Sequence, residues 1–337
     1  MNSVAPWWQP GGHLQTIWPA LQGRHAVSQG RFSTAYRRER WLTPDGDFID
    51  VDWQDQPASQ PGALRLLVLF HGLEGSSGSH YALAFASYAR QHGLTLVVPH
   101  FRGCSGELNH APRAYHSGDF EEVGWILQRL RQCTPHRLQV VGVSLGGNAL
   151  LRWAQEAGGQ ARRLASAVAS ISAPIDLTAS GHAMGQGFNR WVYTRMFLNT
   201  MKPKALKKLA QYPGLFNADQ LLAARTLYEF DNVFTAPLHG FKNTADYWRR
   251  ASAKPHLAAM QLPTLVVNAR NDPFVPEASL PRQAHVGPCV TLWQPPHGGH
   301  VGFVQGPWPG NVNALPTAVG DWLAQQSGMQ AEKETHG

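Results

Sequence analysis

Leu138-Gln-Val-Val-Gly-Val-Ser-Leu-Gly-Gly-Asn-Ala-Leu-Leu151 decides how the rest of the chain is read. An apolar, β-type run ends in Gly142-x-Ser144-x-Gly146, and an amphipathic segment without strong helix breakers follows. That order predicts a strand, a tight strained reversal and a helix, with Ser144 at the tip of the turn over the helix N-terminus. Glycine at 142 and 146 suits a reversal in which strand and helix backbones pass too close for a β-carbon. The pentapeptide occurs once in the chain. A surface Gly-Ser turn is the bland alternative, and the flanking pattern argues against it.

A serine hydroxyl is a poor nucleophile at neutral pH and needs a general base, itself oriented by a carboxylate. In folds that carry such an elbow these follow the serine in the order acid, then histidine. The best-placed acid is Asp272, just past the buried run Leu265–Asn268; the alternative is a plain Asn-Asp-Pro turn. Asp176, Asp219, Glu229, Asp231 and Asp246 lose on position. For the base, Val290–Trp293 runs into Gln294-Pro-Pro-His-Gly-Gly-His300. Gly298 and Gly299 allow a sharp bend that swings His300 over the elbow, with His297 as the weaker candidate. The oxyanion donors are expected to be the backbone N–H groups of Leu145 and Leu73, the latter in Phe70-His-Gly-Leu-Glu-Gly75. His71 reads as a residue that holds this loop rather than as a second base. Arg102, after the next strand end, reads as an ion-pairing loop tie before it reads as a carboxylate or phosphate binder.

At 337 residues the chain needs two domains, or one domain with a sizeable insertion. Hydrophobic content of 43% with 15% charged residues describes a globular protein with ample core material. The net charge of +7 invites a nucleic-acid reading. The basic residues are scattered, however, apart from Arg37-Arg-Glu-Arg40 and Lys202-Pro-Lys-Ala-Leu-Lys-Lys208, and no finger or aromatic RNA motif accompanies them. No nucleic-acid partner is expected. Three well-separated cysteines, Cys104, Cys133 and Cys289, suggest reduced thiols, and no metal-ligand spacing is present. Neither a signal peptide nor a long apolar span is found, so a cytoplasmic protein without stable membrane insertion is expected. No cofactor is implied, and oligomeric state is not legible.

Around the elbow lie further short apolar runs, Leu66–Phe70, Leu94–Pro99, Leu138–Val143 and Leu164–Ser172, with helical spacing between them at Tyr81–His92, Asp119–Gln132 and Asn148–Ala157. Arg40–Leu42 and Phe48–Trp53 flank Pro44-Asp-Gly-Asp47 and read as an edge hairpin. This alternation predicts an α/β protein with a mostly parallel, doubly wound sheet. From about 174 to 262 the alternation stops; this aromatic-rich stretch reads as a helical cap inserted into a single domain spanning 1–327. Residues 1–35 are expected to pack on the core as an extension, and 328–337 to form a disordered tail.

The elbow, His71-Gly72, Asp272 and His300, in this order, resemble the α/β-hydrolase superfamily. A narrower set is similar to its YheT-like branch (AB hydrolase superfamily, family 4), which includes abhydrolase-domain lipases and esterases. That set comprises Gly11-Gly-His-Leu-Gln-Thr-Ile-Trp18, His71-Gly-Leu-Glu-Gly-Ser-Ser77, Phe101-Arg-Gly-Cys-Ser105, Tyr115-His-Ser-Gly-Asp119, Glu229-Phe-Asp-Asn-Val-Phe-Thr-Ala-Pro237 and His297-Gly-Gly-His-Val-Gly-Phe303. The resemblance implies a carboxylic-ester hydrolase with Ser144, Asp272 and His300 as its triad and a small-molecule ester as its partner. Alternatives are acyl transfer, thioester or amide hydrolysis on the same triad, and, from another class, a catalytically idle binding module on this fold.

Overall fold

Strands β3 (Leu66–Phe70), β4 (Thr95–Pro99), β5 (Leu138–Val143), β6 (Ala165–Ile171) and β7 (Thr264–Val267) are buried along their whole lengths. Strands covered on both faces read as continuous apolar runs, which is why the sequence shows them as such. The protein is described by a computed structural model covering residues 5–28, 35–54 and 64–335. Adding β1 (Tyr36–Leu42), β2 (Phe48–Gln54) and β8 (Val290–Trp293) gives one eight-stranded sheet in the order β1-β2-β4-β3-β5-β6-β7-β8. Only β2 runs against the others; every pairing from β4 to β8 is parallel.

Alternate residues of each central strand feed two different cores. Leu66, Val68 and Phe70 of β3 join Val123, Ile126 and Leu127 of helix α3 (Phe120–Gln132) and Leu150 and Leu151 of α4 (Leu145–Ala157). Leu67 and Leu69 face the other way, toward Phe85 of α2 (His80–Gln91) and Leu315, Val319 and Leu323 of the C-terminal helix Ala314–Thr335. The period of two along the strands and 3.6 along the helices therefore builds a doubly wound sheet, as expected.

The edge hairpin is longer than its apolar residues suggested. Arg38 pairs in register with Asp52, and Arg40 with Asp50. Each arginine bridges its opposite carboxylate through two hydrogen bonds of 2.7–3.0 Å. Cross-strand ion pairs thus extend β1 back to Tyr36, and charged residues also protect an edge strand from unwanted pairing. They account for the Arg37–Arg40 cluster within the fold.

Between β6 and β7 the regular structure is all helical, joined by short loops. It includes helices Leu177–Met184, Arg195–Gln211, Leu227–Val233 and Thr244–Ala251, with a π turn at Arg190–Thr194. Helix α1 (Gly11–Ser28) lies against the loops after β7 and β8, as shown by Gln15 and Thr16, whose side chains bond Gly298 and His300. The C-terminal helix runs to Thr335 within the stretch that the sequence reads as a tail, and residues 336–337 lie outside the described residues. Gln, Ala, Glu and Lys propagate an established helix readily, because the costly nucleation step has already occurred upstream.

Candidate active site

β5 ends at Val143, and α4 begins at Leu145, so Ser144 is the entire connection. Its backbone sits at φ 52° and ψ −120°, a conformation that costs a non-glycine residue roughly 1–3 kcal/mol and clusters at functional sites. The glycines permit the approach. A β-carbon at 142 would lie 2.5 Å from the Gly146 carbonyl oxygen, and one at 146 would lie 2.4 Å from that of His71. Because no linker separates serine from helix, α4 starts three residues before the predicted Asn148.

Three side chains predicted from separate strand ends meet here. His300 Nε2 lies 3.0 Å from Ser144 Oγ, and His300 Nδ1 lies 2.9 Å from Asp272 Oδ2. Asp272 is fully enclosed, and its other oxygen accepts the Phe274 N–H at 2.8 Å. The Phe274 ring stacks on the imidazole with centroids 4.1 Å apart. With a carboxylate on Nδ1, the neutral ring carries its proton there and presents the Nε2 lone pair to the serine. His297 is exposed and does not enter this chain of bonds. The rival acids are engaged elsewhere. Asp176 caps helix Leu177–Met184, Glu229 completes a capping box with Thr226, and Asp246 pairs with Arg249 and Arg250.

The loop after β3 is tied down donor by donor. Gly72 N–H donates to Tyr81 OH, Glu74 N–H to Tyr115 OH, and Gly75 N–H to the Gly72 carbonyl, each at 2.9 Å. Leu73 N–H has no protein acceptor among the described residues. Leu145 N–H, first in α4, lacks an intrahelical acceptor by position, as helix N-termini do. These are the two donors expected from sequence. His71 is completely buried; its Nε2 accepts the Phe101 N–H at 3.1 Å, so its Nδ1 donates to the Gly72 carbonyl at 2.8 Å. Burial lowers its pKa to about 3, so it is a neutral brace for the loop. Arg102 is likewise a tie, bonding Asp45, Asp47 and Glu122 within 2.5–2.8 Å.

A family model for the alpha/beta hydrolase fold matches residues 65–307. The Escherichia coli (strain K12) protein named "Putative esterase YheT" is 40% identical over 314 residues, covering 92% of this chain and 89% of its own. The chain belongs to the α/β-hydrolase family. Mouse phospholipase ABHD3 is 30% identical over 281 residues, 81% of this hydrolase and 68% of the mouse protein. Among solved structures, the ferulic-acid complex of Est1E from Butyrivibrio proteoclasticus superposes with a TM-score of 0.54 at 14% identity, covering 87% and 98% of the two chains. The Pyrococcus furiosus esterase Pf2001 gives 0.51 at 17% identity, covering 90% and 94%. At such identities these two structures speak for the fold alone.

Helix α1 of the hydrolase, which precedes the matched region, supplies contacts that the sequence reading did not assign. Thr16 Oγ1 accepts the His300 backbone N–H at 2.9 Å and donates to the Gly12 carbonyl at 2.7 Å. Gln15, 2% exposed, accepts from Gly298 N–H at 2.8 Å and from Asn271 Nδ2 at 2.9 Å. Asn271 in turn accepts from Gly299 N–H. One helix therefore fastens the acid loop and the histidine loop together. The histidine loop needs fastening, because Gly299, Val301 and Phe303 all have positive φ. The signal lay in Gly11–Trp18, whose polar residues could not be given partners without the fold.

Ser144 and His300 open on a cavity of about 160 Å³ with predominantly apolar walls. Met184, Phe197, Leu227, Phe230, Phe234 and Trp248 of the helical segment line it. The polar exceptions are held in place: Glu74 pairs with Lys204 at 2.7 Å, and Asp231 accepts from Thr235 Oγ1 at 2.6 Å and Trp248 Nε1 at 2.9 Å. Burial raises the Asp231 pKa to about 6. No cluster of three His, Cys, Asp or Glu side chains able to hold a metal occurs among the described residues.

Proposed function

We propose that this hydrolase is a serine esterase acting on short- or medium-chain acyl esters, with Ser144, His300 and Asp272 as its triad. The observation that carries the reading is the continuous hydrogen-bond chain Ser144 Oγ–His300–Asp272, with both links between 2.9 and 3.0 Å. Ser144 Oγ attacks the ester carbonyl while His300 Nε2 takes its proton. Asp272 holds the tautomer and stabilises the imidazolium. Leu73 and Leu145 N–H groups stabilise the oxyanion, a contribution of roughly 3–4 kcal/mol per donor in comparable sites. His300 then gives its proton to the departing alcohol. A water, deprotonated by the same imidazole, hydrolyses the acyl-Ser144 ester and regenerates the enzyme.

In this reading the helical segment between β6 and β7 is a cap that supplies the acyl-binding wall, inserted into a single domain. The cavity of about 160 Å³ is close to the size known to take a benzene-sized ligand. It therefore favours short acyl groups over long ones. A p-nitrophenyl ester series from acetate to palmitate tests this. The expected kcat/KM maximum lies at short or medium chains and collapses at long ones, and Ser144→Ala is inactive throughout. A maximum at the longest chain would remove the cavity from the account.

A further inference from the structure

Large apolar side chains that stand exposed are not spread over the hydrolase. Among the described residues, all but Leu42, Leu222 and Tyr228 fall on three segments: 7–21, 188–196 and Trp308. These segments touch. The Trp308 ring lies 4.4 Å from Trp18 and 5.3 Å from Trp8, and the Phe188 ring lies 4.5 Å from His13. Trp7 is 92% exposed, Trp191 68% and Trp308 64%. The π turn at Arg190–Thr194 closes i→i+5, which sets Trp191 in line with Met196, and both face solvent. A connected apolar surface rich in tryptophan on a soluble fold marks an interaction site.

The charge pattern says what kind. Residues 1–38, 177–218 and 278–320 contain all three exposed segments and not one of the chain's 22 acidic residues. Arg190 and Arg195 stand within the apolar patch, and Lys207 follows, exposed, on the same helical stretch. A second copy of the chain is a poor occupant. A twofold interface would set these arginine-bearing segments, which carry no acid of their own, against themselves. An anionic bilayer surface complements both properties: tryptophan and other amphipathic rings settle at headgroup level, and cations meet the lipid phosphates.

We propose that this face, built from helix α1, residues 188–196 and the Trp308 loop, docks the hydrolase peripherally on anionic phospholipid surfaces. No helix among the described residues is long and apolar enough to cross a membrane, so docking would be superficial and reversible. The face adjoins the site: Tyr193 packs on Phe274, which stacks on His300, and Phe197 of the same cluster lines the cavity. An ester or product that partitions into lipid would then be exchanged close to Ser144.

Flotation of the full chain with vesicles of pure phosphatidylcholine, and with vesicles containing phosphatidylglycerol, tests the proposal without any catalytic readout. Its failure is therefore separable from failure of the esterase reading. Expected are binding to the phosphatidylglycerol vesicles, release by high salt, and weak binding to phosphatidylcholine alone. Arg190→Glu and Arg195→Glu should each lower partitioning by at least about fivefold, the equivalent of one interfacial cation. Phe188→Ser with Trp191→Ser should abolish it. These four side chains do not line the cavity, so hydrolysis of a soluble short-chain ester is expected to persist in every variant, which also verifies folding. The proposal is overturned by absence of binding to anionic vesicles, by binding indifferent to these substitutions, or by a concentration-dependent dimer that the Trp191 substitution dissolves.

Discussion

Replacing Thr16 by valine keeps the shape of the side chain and removes one hydroxyl. That hydroxyl accepts the His300 N–H and donates to the Gly12 carbonyl. Thr16 is 8% exposed, so water cannot freely replace it. An unsatisfied buried N–H costs about 1–3 kcal/mol. The histidine loop already carries positive φ at two non-glycine residues, Val301 and Phe303, at roughly 1–3 kcal/mol each, so its relaxed alternatives are close in energy. Losing an anchor of this size should let the loop drift from the position that puts Nε2 3.0 Å from Ser144 Oγ. A misplacement of about 1 Å can cost about 100-fold in rate, so kcat is expected to fall about 10- to 100-fold. KM should barely move, since Thr16 does not line the cavity. Thr16→Ser restores the hydroxyl and should restore most of kcat. Steady-state hydrolysis of p-nitrophenyl butyrate, alongside urea midpoints, reads both quantities. Wild-type kcat in Thr16→Val would refute the reasoning. So would a stability loss with kcat intact, or a serine variant no better than valine.

Asp272→Asn should lower kcat by about 10⁴-fold while Ser144 and His300 stay in place, because the amide favours the wrong imidazole tautomer; a loss under tenfold would remove Asp272 from the triad. His80, half-buried at the start of α2 and bonded to the Val301 carbonyl at 3.1 Å, has its pKa lowered from 6.5 to about 4 by desolvation. The folded state keeps it neutral while the unfolded chain binds a proton below pH 6.5, so its contribution is complete above 6.5 and is lost as pH falls toward 4. At pH 5 that loss amounts to about 2 kcal/mol, and His80→Gln should show correspondingly less destabilisation between pH 7.5 and 5 in urea titrations. Equal pH dependence in both proteins would mean that His80 accepts its proton without penalty. Gly142→Ala, whose β-carbon would sit 2.5 Å from the Gly146 oxygen, should cost about 3 kcal/mol or more; an unchanged melting temperature would contradict the close-packed elbow.

Much of this site could be read along the chain because its chemistry is punctuated by strand ends. Ser144, Asp272 and His300 each follow a short apolar run, and the parallel sheet delivers all such ends to one edge. The Leu73 loop follows the end of β3 in the same way. What stayed hidden depends on side chains paired across long sequence distances. Gln15 and Thr16 meet Gly298 and His300 only after folding, and nothing in a polar Gln-Thr pair names those partners in advance. The ends of β1 were obscured because Arg38 and Arg40 are charged and belong to the strand through Asp52 and Asp50 rather than through apolar alternation.

The central claim is that Ser144 is the nucleophile of an ester hydrolase. The most direct measurement pairs fluorophosphonate labelling with p-nitrophenyl butyrate hydrolysis in the wild type and Ser144→Ala. The account predicts a single phosphonylated residue, Ser144, in the wild type, and no label with a kcat lowered about 10⁴- to 10⁶-fold in the variant. Hydrolysis that survives the substitution, or a label that settles on another serine, would contradict it.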